Sequence, residues 1–241
     1  MFDARPASSA RSRPFGAARA AGVLYLAIIA LGLTSELVFR GALVVPGNAA
    51  ETAARILAAP GLLRASLAAD TVMALADVAL AVLLYQLLRP VSAPVAMAAM
   101  VFRLVQAGLI AASLLFQAGA LLTLEMQGEA GAATAQLAMA LQAHGYDLGL
   151  VFFGVNCLLT GWLLVISGYV PKLLGGLIAA AGVVYILGSA ILFMAPAMAG
   201  LFAPAYLLPV LSETAFCLWL LVRGLGPRTP DRGREAESRQ R

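Results

Sequence analysis

Long, continuous runs of apolar residues, rich in Ala and Leu, are the dominant pattern along this chain. Six such runs cover about residues 17–39, 67–88, 95–118, 146–167, 173–194 and 202–222. A helix needs roughly 20 apolar residues to cross the hydrocarbon core of a bilayer, and each run is close to that length. The runs are not the alternating segments of about ten residues that membrane barrels require. The pattern therefore predicts an all-α fold, a polytopic transmembrane helical bundle of about six spans.

Proline and glycine mark the connections between these runs. "RPVSAP" joins spans two and three, "SGYVPK" joins spans four and five, and "MAPAMAGLFAP" joins spans five and six. In the first connection, Asn48 precedes Glu51 by three residues, which resembles a capping box, and Pro60-Gly61 then ends the helix that it starts. We therefore expect a short interfacial helix after span one. The second connection, about 119–145, is compatible in its second half with an extension of the fourth helix.

The composition agrees with a membrane protein. Of the 241 residues, 62% are hydrophobic and 12% are charged, and the mean hydropathy is +0.92. An ordinary soluble domain is about half apolar and about a quarter charged, so that class is excluded. The lipid bilayer is the first expected partner.

The basic residues predict the orientation of the bundle. With the N-terminus inside, twelve of the sixteen Lys and Arg residues lie on the inner side, three (Arg40, Arg55 and Arg64) lie outside, and Arg103 lies within the membrane. Positive charge accumulates in cytoplasmic segments, so both termini are predicted to be cytoplasmic.

The same pattern divides the chain into a membrane domain between two tails. Residues 1–16 form a basic cytoplasmic tail, 17–224 the six-span domain, and 225–241 a polar, Arg-rich cytoplasmic tail. Such tails lie near anionic lipid, and nucleic acid is not an expected partner. The chain has one Lys, Lys172, among its sixteen basic residues. That bias is typical of a GC-rich genome and indicates a bacterium, so a bacterial inner membrane is the expected location.

Two aspartates interrupt the second span. Asp70 and Asp77 are seven residues apart and share one helix face with Ala74 and Ala81. Charged side chains within spans nearly always face the bundle interior or a water-filled cavity. Counted from the centre of the hairpin near Ser92, Asp77 and Arg103 differ in depth by about 6 Å. We therefore predict an ion pair between Asp77 and Arg103, with Gln106 beside it.

Other polar residues fall at matching depths, so the sequence predicts two polar layers. The midplane layer contains Asp77, Arg103, Gln106, Asn156 and Glu213. The layer nearer the outside contains Glu36, Arg40, Arg64, Asp70, His144 and Asp147.

Glu213 is the unusual member of the midplane layer. The layer holds two acids and one base, and Asp77 is the nearer partner of Arg103 by hairpin geometry. A second carboxylate in low dielectric is costly, so we expect Glu213 to be protonated unless a cation or water reaches it. It is the first candidate for a proton or cation site. The alternative is a neutral acid that donates a hydrogen bond to Asn156 or to a backbone carbonyl.

Three classes of function are compatible with these layers. The polar residues bind or move a small solute, ion or proton; or they only fix helix packing in a structural or accessory protein; or they belong to an enzyme acting on lipid or quinone. No residue is assigned a catalytic role, since the sequence contains no HExxH, GxSxG, Walker or CxxC motif. His144 is the single histidine, and Cys157 and Cys217 lie within predicted spans. No cofactor and no metal site are therefore predicted.

The sequence also resembles a known family. "HGYDLGLVFFGVNCLLTGWLLVISGYVPKLLGGLIAAAGVVY", "AGVLYLAIIALGLTSELVFRGALVVPG", "TAARILAAPGLLR", "ADVALAVLLYQLLRPVS", "FRLVQA" and "SETAFCLWLLVRG" occur in order. Together they resemble the bacterial multi-pass family of domain of unknown function 4386, between Ala17 and Gly224. The resemblance implies an integral membrane protein and supplies no reaction or ligand. Its motifs include Glu36, Arg40, Asp77, Arg103 and Glu213.

Overall fold

The computed structural model describes residues 13–225, and within that range the chain is helical without a strand. Most of the two predicted tails, residues 1–12 and 226–241, lies outside the described residues. The first helix begins a few residues before the predicted start of span one, and the last ends at the predicted end of span six.

Seven helices of ten residues or more make up the described chain, and we number them in order. They are α1 (Arg13–Leu33), α2 (Ala49–Ala58), α3 (Pro60–Leu88), α4 (Ala93–Gln127), α5 (Ala132–Ser167), α6 (Lys172–Met194) and α7 (Leu207–Val222). A π-helical segment, Thr34–Arg40, and a short turn, Gly41–Leu43, continue α1. Three short helical pieces, Pro196–Met198, Ala199–Phe202 and Ala203–Tyr206, lead into α7.

The length and composition of these helices fit a membrane protein. Within the described residues, five segments are long and apolar enough to cross a membrane: Gly16–Leu43, Pro60–Leu88, Ala93–Ser167, Lys172–Met194 and Pro196–Val222. The third segment has 75 residues and contains both α4 and α5. Asn156 on α5 donates a hydrogen bond to the carbonyl of Ala99, and Gly145 on the same helix faces Ser113. α4 and α5 are therefore antiparallel, and the bundle has the predicted six long helical stretches.

The short helix α2 forms where the capping pattern predicts it. The Asn48 side chain accepts the backbone N–H of Glu51 at 3.1 Å and donates its amide N–H to the Glu51 carboxylate, also at 3.1 Å. Pro60 ends this helix, and it is also the first residue of α3. Proline suits that position because the first helical N–H has no intrahelical partner.

The second connection is much shorter than the predicted 119–145, whereas the expected extension of the fourth helix through its second half is confirmed. α4 continues to Gln127 and α5 begins at Ala132, so the turn consists of Gly128–Gly131. No proline interrupts residues 119–127, and Gly128 ends α4 with a φ of +58° that favours glycine. The two helices therefore extend beyond the apolar runs that predicted them.

The bundle has an apolar core at each end. The start of α1 and the end of α7 meet at one end, which we call the tail end, where Arg19 donates to the Leu221 carbonyl. Its buried core includes Ala18, Leu88, Leu164 and Leu220. The opposite end, the far end, has a core that includes Leu43, Ile56, Leu63, Leu124 and Met139. Most of the buried charged residues lie between the two cores.

Close packing of α5 on α6 fixes one wall of this middle zone. A Cβ atom built on Gly161 of α5 would lie 2.6 Å from the backbone nitrogen of Ala179 and from the carbonyl oxygen of Gly175 on α6. The small residues at 175 and 179 therefore allow the two backbones to approach, as such pairs do in membrane helices.

Candidate functional site

A cavity of about 1010 Å³ occupies the middle of the bundle. It extends from Val44 and Met139 at the far end down to Asp77, Arg103 and Glu213. Most of its lining is apolar or aromatic, with a few charged groups. Binding sites for small molecules have this size and this composition.

Several lining residues remain exposed and therefore mark the mouth of the cavity. They come from the π-helical segment and the loop after it, from α5, and from the segment leading into α7. They are Glu36, Leu37, Pro46, Ala140, Ala143, Ala203 and Val210.

At the floor of the cavity, Arg103 of α4 pairs with Asp77 of α3. Arg103 Nε donates to Asp77 Oδ1 at 2.6 Å, and a terminal guanidinium nitrogen lies 2.5 Å from the same oxygen. Both residues are 2% exposed. The guanidinium carbon lies 5.1 Å from the ring centre of Tyr25 and 5.0 Å from that of Phe153. The hairpin spacing predicts this pair, and the structure forms it.

Glu213 of α7 is buried beside this pair and is held by two tyrosines. The Tyr25 hydroxyl donates to Glu213 Oε2 at 3.0 Å, and the Tyr185 hydroxyl donates to Glu213 Oε1 at 2.5 Å. The alternative partner from the sequence, Asn156, is wrong. Asn156 instead donates to the Ala99 carbonyl at 2.8 Å, because α5 turns it toward α4. It lines a separate pocket of about 10 Å³ on the tail side of Arg103, room for about one water.

Gln106 lies one helical turn beyond Arg103 and also faces the cavity. It is 5% exposed, and among the described residues its Oε1 atom has no hydrogen-bond partner. Gln136 also lines the cavity, nearer the far end. Its Oε1 atom is buried and likewise has no hydrogen-bond partner among the described residues. Buried amide oxygens usually accept a hydrogen bond, so each of these two atoms lacks the partner that its burial normally requires.

A second buried charge cluster surrounds Arg40 at the end of the π-helical segment. Arg40 pairs with Asp70 on α3 and with Glu36, whose Oε2 accepts from Arg40 nitrogens at 3.0 and 2.7 Å. It also donates to the hydroxyls of Ser35 and Ser66, each at 3.0 Å. The wider π-helical turn places Ser35, Glu36 and Arg40 together against α3. Rare π-helical segments often occur at functional sites.

The other predicted members of the outer layer do not join this cluster. Arg64 is exposed and pairs with Glu125 at 2.5 Å. His144 is exposed, with Nδ1 2.8 Å from the Ala140 carbonyl oxygen. Asp147 lines the cavity, and within residues 16–225 its carboxylate forms no hydrogen bond or salt bridge. Equal depth thus did not imply contact, since depth leaves the direction around each helix axis undetermined.

The aromatic side of the site was not predicted from the sequence. Phe153, Tyr185 and Tyr206 line the cavity. The ring centres of Phe153 and Tyr185 are 5.1 Å apart, and those of Tyr185 and Tyr206 are 6.0 Å apart. One signal was present in the sequence: a tyrosine hydroxyl in the middle of a span needs a polar partner. Tyr25 and Tyr185 are such residues.

The described residues contain no group of three or more His, Cys, Asp and Glu side chains arranged to hold a metal ion. Both cysteines, Cys157 and Cys217, are buried and unpaired with each other.

Comparison with known proteins gives the following matches. The family model described as "Domain of unknown function (DUF4386)" matches residues 20–224. An "Uncharacterized protein" of Archaeoglobus fulgidus is 32% identical over 148 residues, which is 61% of this chain and 76% of that protein. No solved structure matches the chain.

Proposed function

We propose, given that this chain belongs to the family of domain of unknown function 4386, that it is a membrane protein that binds a small solute between its helices. The observation that carries the proposal is the cavity of about 1010 Å³ whose floor holds Arg103, Asp77 and Glu213. These charged groups could bind a small polar solute or a hydrated ion, and Glu213 could carry a proton.

The expected orientation places the mouth of this cavity away from the cytoplasm. Twelve of the sixteen basic residues lie on the inner side if both termini are cytoplasmic. The far end then faces the outside of the cell membrane, which we take to be a bacterial inner membrane. The site would therefore sample solutes from the outer side or from the outer leaflet.

A structural role for the charged residues is the competing explanation. The pairs of Arg103 with Asp77 and of Arg40 with Asp70 link different helices, and buried pairs can fix helix register. Such a role explains the pairs but not the space beside them, because protein interiors are normally packed to the density of organic crystals. The cavity therefore favours binding over a purely structural role.

A matched pair of substitutions on α5 tests the proposal. Ala143 lines the cavity and is exposed at its mouth, whereas Ala133 is exposed on the same helix outside the cavity. We expect the indole of Ala143→Trp to occupy the part of the cavity that a probe needs, and Ala133→Trp to leave that volume free. The measurement is thermal unfolding of the purified protein with three probes of similar size: benzyltrimethylammonium, neopentylbenzene and benzenesulfonate.

A bound probe raises the unfolding midpoint, because it binds the folded state only. At least one probe should stabilise the wild type and the Ala133→Trp variant but not the Ala143→Trp variant. The proposal is wrong if no probe stabilises the wild type, or if each probe stabilises all three proteins equally.

A further inference from the structure

We propose that the cavity selects organic cations, held between the rings of Phe153, Tyr185 and Tyr206 and the carboxylates of Asp147 and Glu213. This inference rests on the proposed function, since it names the class of solute that the same cavity takes. Three observations support it: the charge of the lining, the arrangement of the rings, and a cation already stacked on the floor.

The charged groups that line the cavity are mostly acidic. Four carboxylates face it, those of Glu36, Asp77, Asp147 and Glu213, against the guanidinium groups of Arg40 and Arg103. Arg40 is already shared between Glu36 and the buried Asp70, and Arg103 is paired with Asp77. Within the described residues, Asp147 and Glu213 form no salt bridge. A cation in the cavity would supply the missing charge, whereas an anion would be repelled.

The rings form a continuous aromatic wall beside these two acids. Phe153 contacts Tyr185, and Tyr185 contacts Tyr206, at ring-centre distances of 5.1 and 6.0 Å. Tyr185 also donates its hydroxyl to Glu213, which ties the wall to the carboxylate. The faces of aromatic rings attract cations, and aromatic cages are the usual means of binding quaternary ammonium groups.

The floor of the cavity already shows this chemistry with a cation of the chain itself. The Arg103 guanidinium lies over the ring of Phe153 at 5.0 Å and over that of Tyr25 at 5.1 Å. One ring, Phe153, therefore belongs both to the floor and to the aromatic wall. A positively charged ligand would repeat the same contact on the side of the wall that faces the open cavity.

Isothermal titration of the purified protein with the three probes tests this selectivity. Neopentylbenzene is the neutral counterpart of benzyltrimethylammonium, because a carbon atom replaces the charged nitrogen. We expect the cation to bind about tenfold or more tightly than the neutral probe, and benzenesulfonate to bind more weakly than either.

Two substitutions separate the charge from the ring. Asp147→Asn should weaken binding of the cation about tenfold and leave the neutral probe unchanged. Glu125→Gln is its control, because it removes one negative charge from an exposed residue that pairs with Arg64 outside the cavity. Tyr206→Leu should weaken the cation severalfold, whereas Tyr206→Phe keeps the ring and should bind as the wild type does.

Each outcome decides between the two proposals. If the neutral or anionic probe binds as tightly as the cation, and Ala143→Trp abolishes that binding, the cavity binds solutes but the inference about cations is wrong. Cation binding that is unchanged in both Asp147→Asn and Tyr206→Leu also overturns the inference, and either variant suffices should the other fail to fold. If no probe distinguishes the wild type from Ala143→Trp, the proposed function itself fails.

Discussion

At the scale of single residues, the Arg103–Asp77 pair is a buried ion pair that joins α3 and α4. Removing one partner leaves an uncompensated charge in a site where both residues are 2% exposed. We expect Asp77→Ala to destabilise the protein by about 3–5 kcal/mol, and Asp77→Ala combined with Arg103→Ala to recover part of that loss. The measurement is the yield and the unfolding midpoint of each purified variant.

The exposed pair of Arg64 and Glu125 is the control for this cycle. Its side chains are 60% and 39% exposed, and its separation of 2.5 Å matches that of the buried pair. An exposed ion pair contributes about 0–1 kcal/mol, so Arg64→Ala should have little effect. A double variant of Asp77 and Arg103 no more stable than the worse single variant would show that the two residues are not coupled.

The contrast between Asp77 and Glu213 shows which contacts a sequence can predict. Asp77 and Arg103 belong to one helical hairpin with a short turn, so counting residues gives their relative depth and hence their pairing. Glu213 meets Tyr25 and Tyr185, which are 188 and 28 residues away in the sequence. Its partners depend on how α1 and α6 rotate about their own axes, and no local count gives that rotation.

At the scale of elements, the approach of α5 to α6 determines the aromatic wall, because Phe153 and Tyr185 lie on these two helices. Gly161→Ala would place a methyl group 2.6 Å from two backbone atoms of α6. We expect it to force the helices apart and to cost about 1–3 kcal/mol, measured as a lower unfolding midpoint.

Gly176 is the matched control, since a Cβ atom there meets nothing within 4 Å. Gly176→Ala should be neutral or stabilising by up to about 1 kcal/mol, because alanine favours the helix. Equal effects of the two substitutions would contradict the close approach of the backbones at Gly161.

The π-helical segment is the element that the sequence did not predict. "TSELVFR" has no proline or glycine and continues an apolar run, so it resembles an ordinary extension of α1. Contacts with another helix explain the wider turn. Arg40 reaches Asp70 and Ser66 on α3, and its guanidinium also bonds to Ser35 and Glu36 of the π-helical segment itself. A departure from regular helix geometry that depends on partners from another helix has no local signature.

At the scale of the whole molecule, the position of the first and last helices supports a topology test. The contact between Arg19 and Leu221 places the start of α1 and the end of α7 at the same end of the bundle. The distribution of Lys and Arg then predicts that this end is cytoplasmic. A fluorescent reporter that matures only in the cytoplasm, fused after Arg241, should be active.

The same reporter inserted between Gly47 and Asn48, in the loop before α2, should be inactive. A second reporter, active only in the periplasm, can be fused after Arg241 in place of the first. The predicted orientation is wrong if this second fusion is active and the first is not.

The depth of the cavity has a consequence for the timing of binding. Within the described residues, the cavity ends at the Arg103–Asp77 pair, and the apolar core of the tail end lies beneath it. A solute that enters past the exposed lining residues therefore leaves past them as well. Narrowing that opening, at Val210 for example, raises the barrier for arrival and departure by the same free energy. Both rate constants fall by one factor, and their ratio, which is the equilibrium affinity, does not change. The opening therefore sets how fast a solute arrives and departs, and the groups inside the cavity set how tightly it is held.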